Sequence, residues 1–413
     1  MKKVLCFTLA LVMALCCLTA CGGTGTPAPS DGSAASPAEG GSESAAPEEV
    51  SGDVVKIGVF EPASGDNGAG GKQEILGMQY ANAVQPTVEI GGKTYQVELV
   101  YADNQSSNDK APSAAQTLIS SGVSVVLGSY GSGVSIAASD IFGDAGVPAI
   151  GVTCTNPQVT AGNSHYFRIC FLDPFQGTVL ANFAKENFSA TKAYCLAKLG
   201  DDYSVGLCNY FMEAFGKENC VYETFPEGTS DYSAYVTNAK NSGCNVFFAP
   251  VSTEAAALII DQAAAQDLGM PMLAGDTWDS NVITAAAQGK SNVELYVTTF
   301  YQEGGNEAFD SGIKEFINSD PTHLANNGGN DMIAAVSAMG YDAYFVALEA
   351  LKAAGSTAPA DVMAALPSVQ YEGVSGAIAF DDVNGDAIRD AAYVKKCNTE
   401  SGAWDFVAVQ GIK

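Results

Sequence analysis

Short apolar runs alternate along most of this chain with stretches in which apolar residues return every three or four positions. Residues 54–60 (VVKIGVF) have strand character, and from 71 onward Ile75, Met78, Tyr80 and Val84 recur at helical spacing. Residues 95–102 alternate as a half-buried strand does; 111–121 are helical, 123–127 are a buried strand, 134–142 are helical, and 148–152 are a strand. The alternation then resumes. Strands are predicted at 193–199, 221–225, 246–251, 272–275 and 295–300, with helices at 205–217, 232–241 and 253–268. The last helix runs into Gly269, a natural C-cap because glycine enters the left-handed region without steric cost. A long helical stretch at 331–354 is interrupted by Gly340, and 376–382 and 391–396 read as antiparallel strands. Strands separated by helices argue for parallel βαβ units. The predicted fold class is therefore α/β, with two Rossmann-like doubly wound lobes, because two successive βαβ sets are present.

The first 52 residues do not fit that pattern. Lys2 and Lys3 precede an apolar run at 4–18, too short for a comfortable membrane span and about right for a signal-peptide core. It ends in Leu18-Thr19-Ala20-Cys21, then Gly22-Gly23, which resembles a bacterial lipobox. The expectation is a lipoprotein signal peptide at 1–21, with Cys21 lipidated and the membrane reached through that anchor. The alternative is an ordinary signal peptide with a coincidental cysteine. Residues 22–52 are rich in Gly, Ser, Ala, Pro and Glu. They cannot bury enough apolar surface to offset ordering entropy, so a disordered linker is expected. The remaining chain exceeds one ordinary domain and suits two. Nothing later in it is long and apolar enough to span a bilayer, so a soluble body is expected.

The formal charge of −27 sets the chain against nucleic acid, which would repel it. Eleven cysteines are present; Cys6, Cys16, Cys17 and Cys21 fall at or before the lipobox. The other seven have no CxxC spacing and cannot all pair, so mostly free buried thiols are expected. Two histidines, His165 and His323, lie far apart and supply neither a triad nor a zinc set. Gly128, Gly131 and Gly133 lack the third glycine of a dinucleotide fingerprint, which would fall at Ile136, and no P-loop is present. Asp381 to Asp386 resembles a calcium loop only superficially, since its glycine is misplaced and no Glu closes it; Asn384-Gly385 is a turn signal instead. No cofactor, metal or catalytic residue is predicted.

Several blocks, in order, resemble the branched-chain amino acid (Leu/Ile/Val)-binding proteins of ABC importers, of the periplasmic binding protein type I fold. They are KIGVFEPASGDNGAGGKQEILGMQYA, LVYADNQSSNDKAPSAAQTLI, VVLGSYGSGVSIAASDIF, GVPAIGVTCTNPQVT, YFRICFLDPFQG, LGDDYSVG, FFAPVSTEAA and MLAGDTWDSN. The resemblance implies two lobes joined by crossover strands, 53–172 plus 301–369 and 173–300 plus 370–413. It implies a monomeric, lipid-anchored, extracytoplasmic solute-binding protein, not an enzyme, that captures an amino acid-like molecule for a permease and ATPase. A lipid-anchored ligand-sensing domain of a signalling system would use the same fold.

An amino acid zwitterion leaves water only if both charged ends find partners. For the carboxylate, the strand at 123–127 runs into Gly128-Ser129-Tyr130-Gly131-Ser132-Gly133 and then a helix. Such a turn exposes amides at the positive end of the helix dipole, to which Ser132 and Thr155 add hydroxyls, with Gly131 and the Thr153 backbone nearby. The alternative for Ser132 is a helix N-cap. The resemblance implies that these positions hold the α-groups of the ligand. It also implies that Asp276, at a strand end, pairs with the α-amino group and that Tyr203 closes over the ligand. Tyr130 and Trp278 flank these positions and could line the side-chain pocket or belong to the core. Gly70 and Val251 stand where the family pattern has tyrosines, so the α-group anchor looks kept and the side-chain pocket altered.

Overall fold

The computed structural model describes residues 53–411. The expected signal peptide, Cys21 and the linker at 22–52 lie outside the described residues. The chain forms two mixed, mostly parallel sheets with helices packed on them, the α/β class that the alternation predicts.

The first sheet contains β1 (Val54–Glu61), β2 (Thr87–Ile90), β3 (Lys93–Asp103), β4 (Val125–Leu127), β5 (Ala149–Gly151) and β6 (Tyr166–Arg168), in spatial order β2-β3-β1-β4-β5-β6. Helices α1 (Gly68–Val84), α2 (Ala111–Ser120) and α3 (Ser132–Asp144) connect its strands. Only β2 runs antiparallel. Its four residues are too few for a periodicity to register. Gly91 and Gly92, both at positive φ, close its two-residue hairpin with β3.

After β6, α4 (Asp173–Phe188) leads to the second sheet. There β7 (Ala193–Lys198), β8 (Cys220–Phe225), β9 (Val246–Phe248), β10 (Met272–Ala274) and β11 (Leu295–Thr299) alternate with α5 (Asp202–Phe215), α6 (Ser233–Asn241), α7 (Thr253–Ala265) and α8 (Asn281–Ala287). The chain then returns through α9 (Glu307–Ser319), α10 (Pro321–Asn326), α11 (Ala335–Ala354) and α12 (Pro359–Ala365) to pack on the first sheet. A hairpin of β12 (Gln370–Gly373) and β13 (Gly376–Ala379) follows. Finally β14 (Ala392–Asn398) and β15 (Ala403–Gln410) complete the second sheet, ordered β15-β14-β11-β10-β9-β7-β8.

The segments at 376–382 and 391–396 are antiparallel strands as expected, with different partners: β13 pairs with β12, while β14 lies between β11 and β15. Their similar alternation carries no information about partners, which long-range packing decides. The helix expected at 331–354 begins at Ala335 and is not interrupted at Gly340. A Cβ at Gly340 would overlap the Glu74 carbonyl, and one at Gly77 would overlap the Ser337 carbonyl. The two glycines let α1 and α11 approach backbone to backbone, which outweighs the roughly 1 kcal/mol that a mid-helix glycine costs.

Ile57, Val59, Leu127 and Ile150 of the first sheet meet Met339, Tyr344 and Leu348 of α11 in one core; Val369, Ile378, Phe380 and Ala387 join it. Phe247, Met272 and Leu295 meet Ile259, Ile260 and Trp278 in another. Each such large side chain, fully buried, stabilises by about 1.5–3 kcal/mol. All seven cysteines among the described residues are free, and all but Cys220 are buried. No helix among the described residues is long and apolar enough to cross a membrane.

Candidate functional site

In the first sheet β1 lies between β3 and β4, and in the second β7 lies between β8 and β9. The chain order reverses at those places, and open α/β sheets leave a crevice beyond the C-terminal strand ends there. The loops leaving these strands face one another. Asp66, Tyr130 and Ser132 from the first sheet, with Lys198, Tyr203 and Thr277 from the second, line one cleft of about 590 Å³ including its open mouth. Lys198 Nζ pairs with Asp66 Oδ2 at 2.7 Å. The Tyr130 hydroxyl donates to the Thr277 carbonyl at 3.1 Å, and Ser280 Oγ donates to Gln73 Oε1 at 3.1 Å.

On the first side, Gly131 is the N-cap of α3 and Ser132 its first residue. Ser132 Oγ accepts the Asn156 N–H at 3.2 Å rather than capping its own helix. That bond ties the α3 N-terminus to the loop at 153–156. Thr155 is buried there, and its hydroxyl has no hydrogen-bond partner. Thr153 Oγ1 donates to Glu74 Oε2 at 2.6 Å. On the second side, Asp276 directly follows Gly275 at the end of β10 and is 1 % exposed. Its Oδ1 accepts from Gln176 Nε2 at 2.9 Å and from the Tyr203 hydroxyl at 3.2 Å. Tyr203 sits in the first turn of α5, which Asp201 caps by accepting the Ser204 N–H at 2.8 Å.

Four of the predicted residues, Tyr130, Gly131, Ser132 and Tyr203, line the cleft; Asp276 lies behind Tyr203, and Thr153 and Thr155 lie in the loop tied to Ser132 through Asn156. Trp278 does not join them. It is fully buried in the second core, and its indole N–H donates to the Val251 carbonyl at 3.1 Å. Val251 itself belongs to that core. Gly70 has a different explanation: a Cβ there would overlap the Tyr130 ring, which takes up the space a side chain at 70 would need.

Sequence reasoning missed the acids beneath these residues. Glu61 ends β1, is 1 % exposed, and accepts the Tyr130 N–H on Oε2 at 2.6 Å. Glu74 stands in the buried stripe of α1 with Gly71, Met78 and Ala81. An acid three and four residues from apolar positions on one helical face was the available signal. Asp173 opens α4 with neither carboxylate oxygen partnered, and Gln176 follows one turn later. Burial pushes the Glu74 and Asp276 carboxyls up to about 7 and that of Asp173 up to about 8. Burial and the neighbouring Glu74 hold Glu61 well above the carboxylate range. Oε1 of Glu61 and of Glu74 each lack a donor, yet the two side chains are hydrogen-bonded partners. One shared proton satisfies both observations. The Thr155 hydroxyl lies close enough to lower Asp173 while standing outside good hydrogen-bond geometry.

These shifts fix a pH dependence for the ligand-free protein. Between about 4 and 8 the folded state keeps protons that the unfolded carboxyls, near pH 4, have lost. Stability is therefore expected to fall as pH rises through that window. Urea midpoints at pH 5 should exceed those at pH 8, and Asp173→Asn should shrink the difference. An unchanged difference in that variant would remove Asp173 from the account.

The chain is similar to several known proteins. The periplasmic binding protein family matches residues 54–402. A curated relative, the Leu/Ile/Val-binding protein homolog 2 of Brucella abortus, is 30% identical over 364 residues, covering 85% of this chain and 93% of the relative. The leucine-binding protein LivK of Thermotoga maritima superposes with a TM-score of 0.74 at 31% identity, over 87% of this chain and 99% of that one. The branched-chain amino acid transporter protein LivJ of Streptococcus pneumoniae, solved with isoleucine, gives 0.74 at 26% identity over the same shares.

Proposed function

Because the chain belongs to the periplasmic binding protein family, we propose that it is the extracytoplasmic receptor of an ABC importer and captures an amino acid or amino acid-like solute between its two sheets. It is a binding protein and not an enzyme. The observation that carries the reading is the pair of opposed poles across one cleft. Ser132, Thr155 and the α3 amides stand on one side, and Asp276 with Tyr203 on the other.

The first pole suits a carboxylate, since the first amides of a helix have no intrahelical partner and sit at its positive end. Gly131 leaves the approach to them open. The second pole suits an ammonium, which would replace the proton that burial places on Asp276. Similarity to leucine- and Leu/Ile/Val-binding proteins supports an α-amino acid. We take as one lobe the first sheet with the segments at 301–391 that pack on it, and as the other the second sheet with β14 and β15. The lobe boundary near 391, rather than 370, follows the packing of Ile378, Phe380 and Ala387. Rotation of one lobe against the other admits the solute, and closure dries the poles, strengthening each polar contact. Lipidation at Cys21 would tether this receptor beside its permease and ATPase.

The test is a thermal-shift panel of L-amino acids, amides and small aromatic acids. A ligand at a hundred times its Kd stabilises by about 2.7 kcal/mol, a readily measured rise in melting temperature. At least one α-amino acid is expected to give it. A response confined to compounds without an α-amino group would refute the proposed poles.

A further inference from the structure

We infer that the crevice takes a solute with two cationic nitrogen groups, an α-amino acid bearing a second, basic group; this rests on the amino acid reading above. Glu61, Glu74, Asp173 and Asp276 come from four different elements and are each at most 1 % exposed. They are near enough to act on one another: Glu61 on Glu74, and Asp276 on both Glu74 and Asp173. The α-amino group of a ligand accounts for one of these acids. It leaves the Glu61–Glu74 pair and Asp173 without a counter-charge. Arg168, the guanidinium beside Asp173, is already held by Asp386 at 2.7 Å. Lys198 is engaged at the mouth of the cleft by Asp66.

A second observation comes from neutral side chains. Gln176 Oε1 and Thr155 Oγ1, both on fully buried residues among these acids, have no hydrogen-bond partner. With both Asp173 oxygens they form a set of buried polar atoms without a partner, beside the Glu61–Glu74 pair that one shared proton holds together. Native interiors leave few such atoms unpaired. An aliphatic side chain supplies no donor and would keep the acids protonated. A second ammonium or a guanidinium supplies three to five N–H groups and the missing charge. Two of the acids lie directly behind cleft-lining residues: Glu61 accepts the Tyr130 N–H and Asp276 accepts the Tyr203 hydroxyl.

The test is calorimetric titration of the full chain with L-ornithine, L-lysine and L-arginine against L-leucine and L-isoleucine, with 1,4-diaminobutane as the diamine lacking a carboxylate. At least one dibasic amino acid is expected to bind with a Kd roughly tenfold or more below the aliphatic ones, as loss of a buried charge partner commonly costs that much or more. Glu61→Gln should narrow the ratio, and Asp173→Asn serves the same purpose if the first variant loses its folded circular dichroism spectrum. Tighter binding of leucine or isoleucine would overturn the inference and leave the amino acid reading intact. Binding of 1,4-diaminobutane alone would sink the amino acid reading while supporting the two-cation site. No binding by any of these compounds would overturn both.

Discussion

Asp276→Ala is expected to abolish the thermal stabilisation that an α-amino ligand confers on the wild-type protein. Asp276 is buried, oriented by Gln176 and Tyr203, and set just past the end of β10. Without it a desolvated ammonium loses its counter-charge, at a cost of about 3–5 kcal/mol. That exceeds the roughly 2.7 kcal/mol gained at a hundredfold excess over Kd, so the shift vanishes at that ligand concentration. The ligand-free variant should melt no lower than the wild type near pH 8. Burial holds the Asp276 carboxyl at about 7, so its removal deletes a charge the folded state disfavours. Differential scanning with and without ligand reads both effects. An undiminished shift would show that the α-amino group is held elsewhere.

Arg168→Leu should be the most destabilising single change outside the ligand poles. The guanidinium is fully buried at the end of β6 and paired with Asp386. It donates from Nη1 to the carbonyls of Cys154 at 2.9 Å and Asn156 at 2.5 Å, and from Nη2 to Thr160 Oγ1 at 2.8 Å. Removing it strands the Asp386 carboxylate and two carbonyls, at about 3–5 kcal/mol. Because the carbonyls belong to the loop that carries Thr155, ligand affinity should fall with stability. Urea unfolding measures the first effect and titration the second. Adding Asp386→Leu should recover a large part of the stability, since replacing both members of a buried pair is often near neutral. A wild-type midpoint in the single variant would refute the role assigned to Arg168.

The motif at 381–386 shows how local pattern misleads about chemistry and still marks structure. Asp381 Oδ1 accepts the amides of Val383, Asn384 and Gly385, so it closes a turn. Asp386 is turned inward to Arg168, 218 positions earlier in the chain. Both acids are spent on the fold.

Much of the architecture was legible because it is local. The apolar alternation of the βαβ units follows from residue spacing and needs no distant partner. The glycine-rich turn before α3 and the acid after β10 stand at strand ends, where parallel sheets open a crevice, so their use could be argued before any coordinates. Other elements were not legible. The segment of β2 is too short for periodicity to register, and α4 begins with an acid and a proline that resemble a loop. Gly340 reads locally as a helix break because nothing nearby in the chain shows the α1 backbone pressed against it.

The succession of strands and helices along the chain, the glycine-rich turn before α3 and the acid after β10 follow from this sequence alone, since each depends on residue type and short spacing. Tertiary structure decided what those residues face. It buried Trp278 in a core, set Tyr130 over Gly70, and gathered Glu61, Glu74, Asp173 and Asp276 from positions up to 215 residues apart. Charge coupling and desolvation depend on distance in space and on excluded water, and neither quantity is written in the order of residues along a chain.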